Sequence, residues 1–222
     1  MFMKSTLFFA FLLLPFLLLS QKPIPEDYGY TRIPFQFQGE DVNIIILSAG
    51  MKHDTIKKPL FLFVQGSLPR PLFFYDKNGN QYGAPIPFKP LPFFKDYHFI
   101  VIGKPGVPLI AKYEDIEQTQ FNYKDPKTGD FTRTYCKNNH LDYYVKRNKA
   151  VLKYLSKQKW VDKDKIVVAG HSEGVQVALK MAIDKAKMTH LILLNAGLEG
   201  RIMSIITHER SCLLYTSDAA DE

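Results

Sequence analysis

Cysteine and tryptophan are nearly absent, with two of the first and one of the second in 222 residues. Cys136 and Cys212 leave no room for a disulfide framework, and without a Cys-x-x-Cys pair no thiolate metal site is expected. Long apolar runs are also missing. The longest, Leu7 to Leu19, is about 13 residues and is interrupted by Pro15, short of the ~20 that span a bilayer, so no stable membrane insertion is expected. Charge is not segregated either: 29 Lys and Arg against 22 Asp and Glu leave a net +7, but the bases are scattered. That distribution reads as a solvated basic surface and not as a nucleic-acid-binding face, so no nucleic-acid partner is expected. Gly103-Lys104-Pro105-Gly106 lacks the spacing of a phosphate loop and the Ser or Thr after its Lys. No internal repeat is present.

Both ends read as lying outside the fold. Lys4, the apolar stretch and the small residue Ser20 at the expected cut before Gln21 read as a secretory signal peptide over residues 1–20, which would place the mature protein outside the cytoplasm, secreted or periplasmic. Left uncleaved, the same stretch would tether the domain to a membrane. No cysteine follows the apolar stretch, which argues against a lipoprotein anchor. Residues 212–222, Cys212 to Glu222, resemble a translated sequencing adapter; a disordered acidic tail fits the same composition. On the first reading natural sequence stops near Ser211, and residues 21–211 are the N-terminal part of a single domain. Cys136 is then the sole native cysteine, and burial as a small apolar side chain is its expected fate.

Between the ends, apolar runs alternate with amphipathic ones. Tyr30 to Phe37 and Val42 to Leu47 read as antiparallel strands joined through Gln38-Gly39-Glu40-Asp41. Leu60 to Val64 and Phe99 to Ile102 are unbroken apolar runs, the pattern of strands covered on both faces. Leu141, Tyr144, Val145, Leu152 and Leu155 form one helical stripe ending before Trp160, and Leu191 to Leu194 is a further strand. Strand and helix alternating in this order imply an α/β fold with a doubly wound, mostly parallel sheet. Six prolines between Pro69 and Pro92, interleaved with Phe73, Phe74 and Phe88, exclude a long helix there, with a turn at Asn78-Gly79. Tyr113 to His140 has little periodicity and a turn at Asp125-Pro126-Lys127-Thr128-Gly129; this segment and the proline-rich one are candidate lids or pocket walls, or plain surface loops.

The densest chemistry is at Gly170-His171-Ser172-Glu173-Gly174. It follows the apolar run Ile166 to Ala169 and precedes a helix in which Val175, Ala178, Leu179, Ala182, Ile183 and Ala186 share a face. Strand, sharp turn and helix around G-x-S-x-G is the setting in which a serine becomes a nucleophile, because Gly170 and Gly174 let strand and helix pass closely and Ser172 is lifted into the open. A serine N-cap on an ordinary helix is the other reading of the same residues.

With Phe61-Leu62-Phe63-Val64-Gln65-Gly66-Ser67 upstream, residues 28 to about 200 resemble the α/β-hydrolase superfamily, in the manner of a secreted bacterial esterase or peptidase. Gln65 stands where that family usually has His. The resemblance implies a Ser172 nucleophile, backbone amides of Ser67 and Glu173 as oxyanion donors, no cofactor, and a small-molecule or peptide acyl substrate. Carboxylesters are favoured over peptides, and a hydrolase-like module without catalysis is the alternative. The family's acid and histidine follow the serine in the chain. Glu199, His208 and His171 are the local choices, and each is poorly placed: Glu199 one strand early, His208 too near the elbow, His171 pointing away from its neighbour. Both partners are therefore expected beyond Ser211, with C-terminal strands missing and this fragment inactive.

Overall fold

The computed structural model describes residues 23–47, 56–83 and 86–195. Residues 1–20, read from sequence as a signal peptide, Glu199, His208 and residues 212–222 lie outside the described residues. In chain order the strands are β1 Tyr30–Ile33, β2 Gln36–Phe37, β3 Glu40–Asp41, β4 Ile44–Leu47, β5 Lys58–Val64, β6 Phe73–Tyr75, β7 Gln81–Tyr82, β8 His98–Ile102 and β9 Ile110–Lys112. Helices α1 Arg133–Asn138 and α2 Leu141–Leu155 follow, then β10 Val161–His171, α3 Glu173–Ile183 and β11 His190–Leu194.

Six strands form the central sheet in the order β1-β4-β8-β5-β10-β11. β1 and β4 pair antiparallel, as do β4 and β8; the pairs from β8 through β5 and β10 to β11 are parallel. The two early strands are thus neighbours as expected, but a small hairpin, β2 on β3, interrupts them. Its two-residue turn has Gln38 at φ 53° and Gly39 at φ 80°, the doubly left-handed geometry that matches strand twist.

Alternation along the strands separates two cores. Ile44, Ile46, Leu60, Leu62, Ile100, Ile166 and Val168 face α2 and α3, against Val145, Val151, Leu152, Leu155, Val177, Ala178 and Met181. Ile45, Leu47, Phe61, Phe63, Phe99, Val101 and Val167 face the opposite way. Both sets are apolar because both faces are covered, which explains the unbroken runs in the sequence. The second face is closed by the proline-rich segment: the 3-10 turn Leu91–Lys95 brings in Phe93 and Phe94, and Leu72 and Phe73 come from β6 and the residue before it. Phe61 stacks on Phe99 with centroids 4.9 Å apart, and Phe88 meets Phe63 edge-on at 5.6 Å. Aromatic pairs contribute about 0.5–1.5 kcal/mol beyond area burial, so a ring cluster can replace a helix as the cover of this face.

Three side chains depart from the expected pattern. Leu141, the first residue of α2, is 40% exposed, since it turns outward beside the His140 cap. Ile183 is 64% exposed, and the buried side of α3 is Gly174, Val175, Val177, Ala178 and Met181. The helix is rotated because Gly174, which can approach the end of β5 most closely, sets which face points down. Cys136 is exposed and not buried, since the inward side of α1 is taken by Tyr135 and Asn138. Its Sγ lies 3.9 Å from the Phe131 carbonyl. Iodoacetamide is therefore expected to alkylate Cys136 in the native protein at a rate close to that in urea, read by peptide mass spectrometry; protection by tenfold or more would contradict this exposure.

Among the described residues no helix is long and apolar enough to cross a membrane.

Candidate active site

The sheet topology itself marks a crevice. From β5 the chain crosses to β8 on one side, whereas β10 pairs on the other side of β5 and leads outward to β11. Connections therefore leave β5 and β10 in opposite directions, and the gap above their carboxyl ends is where open α/β sheets bind ligands. Gln65-Gly66-Ser67 leaves β5 at that gap, and His171-Ser172 ends β10 there.

Ser172 sits at φ 55°, ψ −124°, the conformation of the first central residue of a type II′ turn, normally a glycine position. An L-residue there is strained, by about 1–3 kcal/mol, and persists only where its surroundings enforce it. The enforcement is visible. A Cβ on Gly174 would collide with the Val64 carbonyl oxygen and stand 2.8 Å from that of Gln65. A Cβ on Gly170 would collide with the Gly174 carbonyl oxygen and stand 2.8 Å from the Val175 Cα. Backbone of β5, β10 and α3 thus meets at van der Waals contact, and Ser172 is left exposed above it. Its side chain makes no cap bond to α3, although Val175 N–H donates to the Ser172 carbonyl at 3.0 Å, and Ser172 N–H donates to the Leu194 carbonyl at 3.3 Å. The N-cap reading of this serine is thereby corrected: it lies at the cap position without capping.

Gly66 lies directly beside the serine. A Cβ built on it would be 3.3 Å from Ser172 Cβ and 3.7 Å from Ser172 Oγ, so the β5 loop and the elbow form two walls of one small space. The loop is tied from both sides. Gln65, where the resemblance leads one to look for His, is buried, and its Nε2 donates to the Ile102 carbonyl at 2.8 Å, linking β5 to β8. The Ser67 carbonyl accepts from the Tyr135 hydroxyl at 2.9 Å. Tyr135 reaches it because Gly106, at φ 65°, lets the chain after β8 run against Thr132 and Thr134 at the start of α1. The segment 113–140 therefore contributes a brace; no residue of it lines the cavity beside Ser172.

Glu173, the first residue of α3, sends its side chain away from the crevice. Its Oε2 meets Lys104 Nζ at 3.2 Å; Lys104 is buried and also lies 4.4 Å from the Tyr144 ring centroid. Arg147 is buried alongside, donating from Nη1 to the Gly103 carbonyl at 2.9 Å and from Nε to Asn148 Oδ1 at 3.2 Å. Burial pushes the Tyr144 phenol well above its ordinary range, partly opposed by Arg147, and pulls the Arg147 guanidinium below its own. Arg147 ties α2 to Gly103 after β8, and the start of α3 is fastened to the same stretch by the Lys104–Glu173 pair. Removing one partner of such a pair is costly because the other charge stays buried.

The open space beside Ser172 is a cavity of about 480 Å³ walled by Gly66, Ser67, Leu68, Arg70, Ile86 and Pro87. No described histidine ring bonds the Ser172 hydroxyl. His98 is buried at the far end of β8, its Nε2 3.0 Å from the Ile56 carbonyl and 3.1 Å from that of Trp160; by strand register this is roughly 16 Å below the elbow. His140 Nδ1 accepts from Tyr143 N–H, and His190 Nδ1 lies 2.8 Å from Thr189 Oγ1. His171 borders the same cavity as the serine. Among the described residues no group of three His, Cys, Asp or Glu is placed to hold a metal ion. The sequence reading named the elbow and the β5 loop but missed Arg70, Lys104, Arg147 and Tyr135; only Gly106 hinted at the loop geometry that brings Tyr135 in.

No family model matches the chain, and no curated protein does. Among solved structures it is similar to a cold-adapted esterase from an Arctic intertidal metagenomic library, at 12% identity and a TM-score of 0.48 over 77% of this chain and 62% of that one. It is also similar to a putative dipeptidyl aminopeptidase IV from Bacteroides ovatus, at 12% identity and a TM-score of 0.49 over 73% and 20% of the two chains. A thioesterase domain from the curacin biosynthetic pathway is 14% identical, with a TM-score of 0.45 over 85% and 54%. The chain spans less than two thirds of the length of each. The fold is α/β with a mostly parallel central sheet.

Proposed function

We propose that the chain carries the nucleophile and oxyanion elements of a serine hydrolase of α/β-hydrolase type, one that cleaves an acyl bond, a carboxylester above all. The observation that carries this reading is Ser172, held exposed in a strained left-handed conformation with Gly66 against it at the sheet's switch point. Strain at an exposed serine has no use in a helix cap and has one in a nucleophile elbow.

In this reading Ser172 Oγ bonds to the acyl carbon while its proton passes to a base, and the carbonyl π pair moves onto oxygen. The amides of Ser67 and Glu173 receive that oxyanion, each such donor being worth about 3–4 kcal/mol. Glu173 is suited to it by its place at the start of α3, where the helix dipole favours negative charge. The bond to the leaving alkoxide then breaks, the alkoxide takes the proton, and water releases the acyl group by the same steps in reverse. The base and its carboxylate are assigned to residues outside 23–195.

The test is labelling by a fluorophosphonate probe and hydrolysis of p-nitrophenyl butyrate, using the product of the gene re-read from source DNA beside the present chain. The phosphonyl adduct is expected on the peptide containing Ser172, with turnover by the re-read product. An adduct on another serine would assign the nucleophile elsewhere. Absence of both adduct and turnover in the re-read product would leave the non-catalytic binding module as the reading.

A further inference from the structure

Among the described residues, Arg70 is the only Asp, Glu, Lys or Arg that walls the cavity beside Ser172. The rest of the wall is the oxyanion loop, His171, and the apolar Leu68, Ile86 and Pro87. The guanidinium is half-buried, and among the described residues it pairs with no carboxylate. One side-chain bond is made, from Nη2 to the Gln120 carbonyl at 3.2 Å, and Nε is buried without a partner. A guanidinium has five donors in a planar fork, and a buried donor left unmet is costly. The loop that carries Arg70 is tied through its backbone: Arg70 N–H donates to the Leu68 carbonyl at 2.9 Å, and the Pro69 carbonyl accepts from Tyr123 N–H at 2.8 Å. Gln120 and Phe121 both adopt positive φ, 54° and 66°, where the Gln120 carbonyl meets Arg70. Beyond Arg70 lies a second cavity of about 190 Å³ lined by Pro71, Phe74, Gly83 and Phe121, so the guanidinium forms a wall common to both spaces.

From this we infer that the acyl substrate carries a carboxylate, received by Arg70 in the same cavity that Ser172 borders. The class is a half-ester of a dicarboxylic acid, with Leu68, Ile86 and Pro87 covering an apolar spacer. A carboxylate fits better than an ammonium or a neutral tail for two reasons. It matches the planar fork and meets the outer guanidinium hydrogens that the one bond to Gln120 leaves over. Among the described residues the cavity wall also supplies no acid to hold a cation. The inference rests on the proposed role of Ser172 for its chemistry but not for its binding.

The experiment has a kinetic and a binding arm. In the first, kcat/KM for mono-p-nitrophenyl glutarate is compared with that for p-nitrophenyl 5-methylhexanoate, an isostere with an isopropyl group in place of the carboxylate. The expected preference is about 10- to 100-fold for the glutarate, the range set by a charge-assisted pair. In Arg70→Gln this ratio falls to about one, and Arg70→Lys keeps part of it. Ile86→Glu, which introduces a competing carboxylate and leaves Arg70 intact, also removes the preference and guards against misfolding of the Arg70 variants. In the second arm, calorimetry with glutarate on the 222-residue chain is expected to show binding that weakens at least tenfold in Arg70→Gln. Equal rates for the two esters together with equal glutarate binding by wild type and Arg70→Gln would overturn the inference while leaving the serine hydrolase standing. Arg70-dependent glutarate binding with no ester cleaved would keep the inference and remove the hydrolase.

Discussion

Gly174→Ala is expected to be the most damaging single-methyl change in this protein. The added Cβ would occupy the space of the Val64 carbonyl oxygen and crowd the Gln65 carbonyl at 2.8 Å. Both are backbone atoms at the end of β5, the last residue of the strand and the one after it, and β5 is paired on each side by β8 and β10 and cannot shift without dragging the centre of the sheet. Overpacking a well-filled core costs typically 1–3 kcal/mol even where side chains can give. Here only backbone can give, so the expected loss is on the order of 4 kcal/mol, in the range that marks severe lesions. Gly170→Ala belongs with it, facing the Gly174 carbonyl and the Val175 Cα. The control is Gly39→Ala in the β2–β3 turn, where φ is 80° but no atom lies within 4 Å of the new methyl. Its cost should be only the left-handed strain of about 1–2 kcal/mol. Urea midpoints of the three variants decide the matter. A Gly174→Ala protein as stable as Gly39→Ala would mean that helix and strand are not in contact at the elbow.

The same contact explains what the sequence could and could not tell. Strand positions were legible because the sheet is covered on both faces, and a run such as Leu60 to Val64 has no other economical fate. The sharp turn between β10 and α3 was legible because glycine spacing around Ser172 has a steric cause that acts within five residues. The rotation of α3 was not, since the pattern Val175, Ala178, Leu179, Ala182 is apolar on a face that only the approach of Gly174 to β5 turns partly outward. Arg70, Tyr135, Lys104 and Arg147 were invisible for a different reason. Each acts through a partner dozens of residues away, as in Tyr135 to Ser67 or Arg147 to Gly103, and no local periodicity records such pairs. Cys136 was misplaced by a general preference of cysteine for burial, which the orientation of one short helix overrode.

Ser172→Gly should make the protein more stable while removing its chemistry. At φ 55°, ψ −124° the serine occupies a region that glycine enters freely, so deleting the Cβ releases strain of about 1–3 kcal/mol. Against this stands the extra backbone entropy that glycine loses on folding, about 0.5–1 kcal/mol. The balance favours the variant by about 1 kcal/mol. Ser172→Ala keeps a Cβ and hence the strain, and the exposed hydroxyl it removes makes no cap bond, so its stability should match wild type within about 0.5 kcal/mol. In the re-read gene product both variants should lose ester hydrolysis by a factor on the order of 10⁴ or more, and both should fail to take up the fluorophosphonate. On the proposed reading the two substitutions share one functional outcome and differ in one physical quantity, the conformational strain stored at Ser172. Equal urea midpoints for Ser172→Gly and Ser172→Ala would show that the elbow holds no such strain, and hydrolysis persisting in both would place the nucleophile on another side chain.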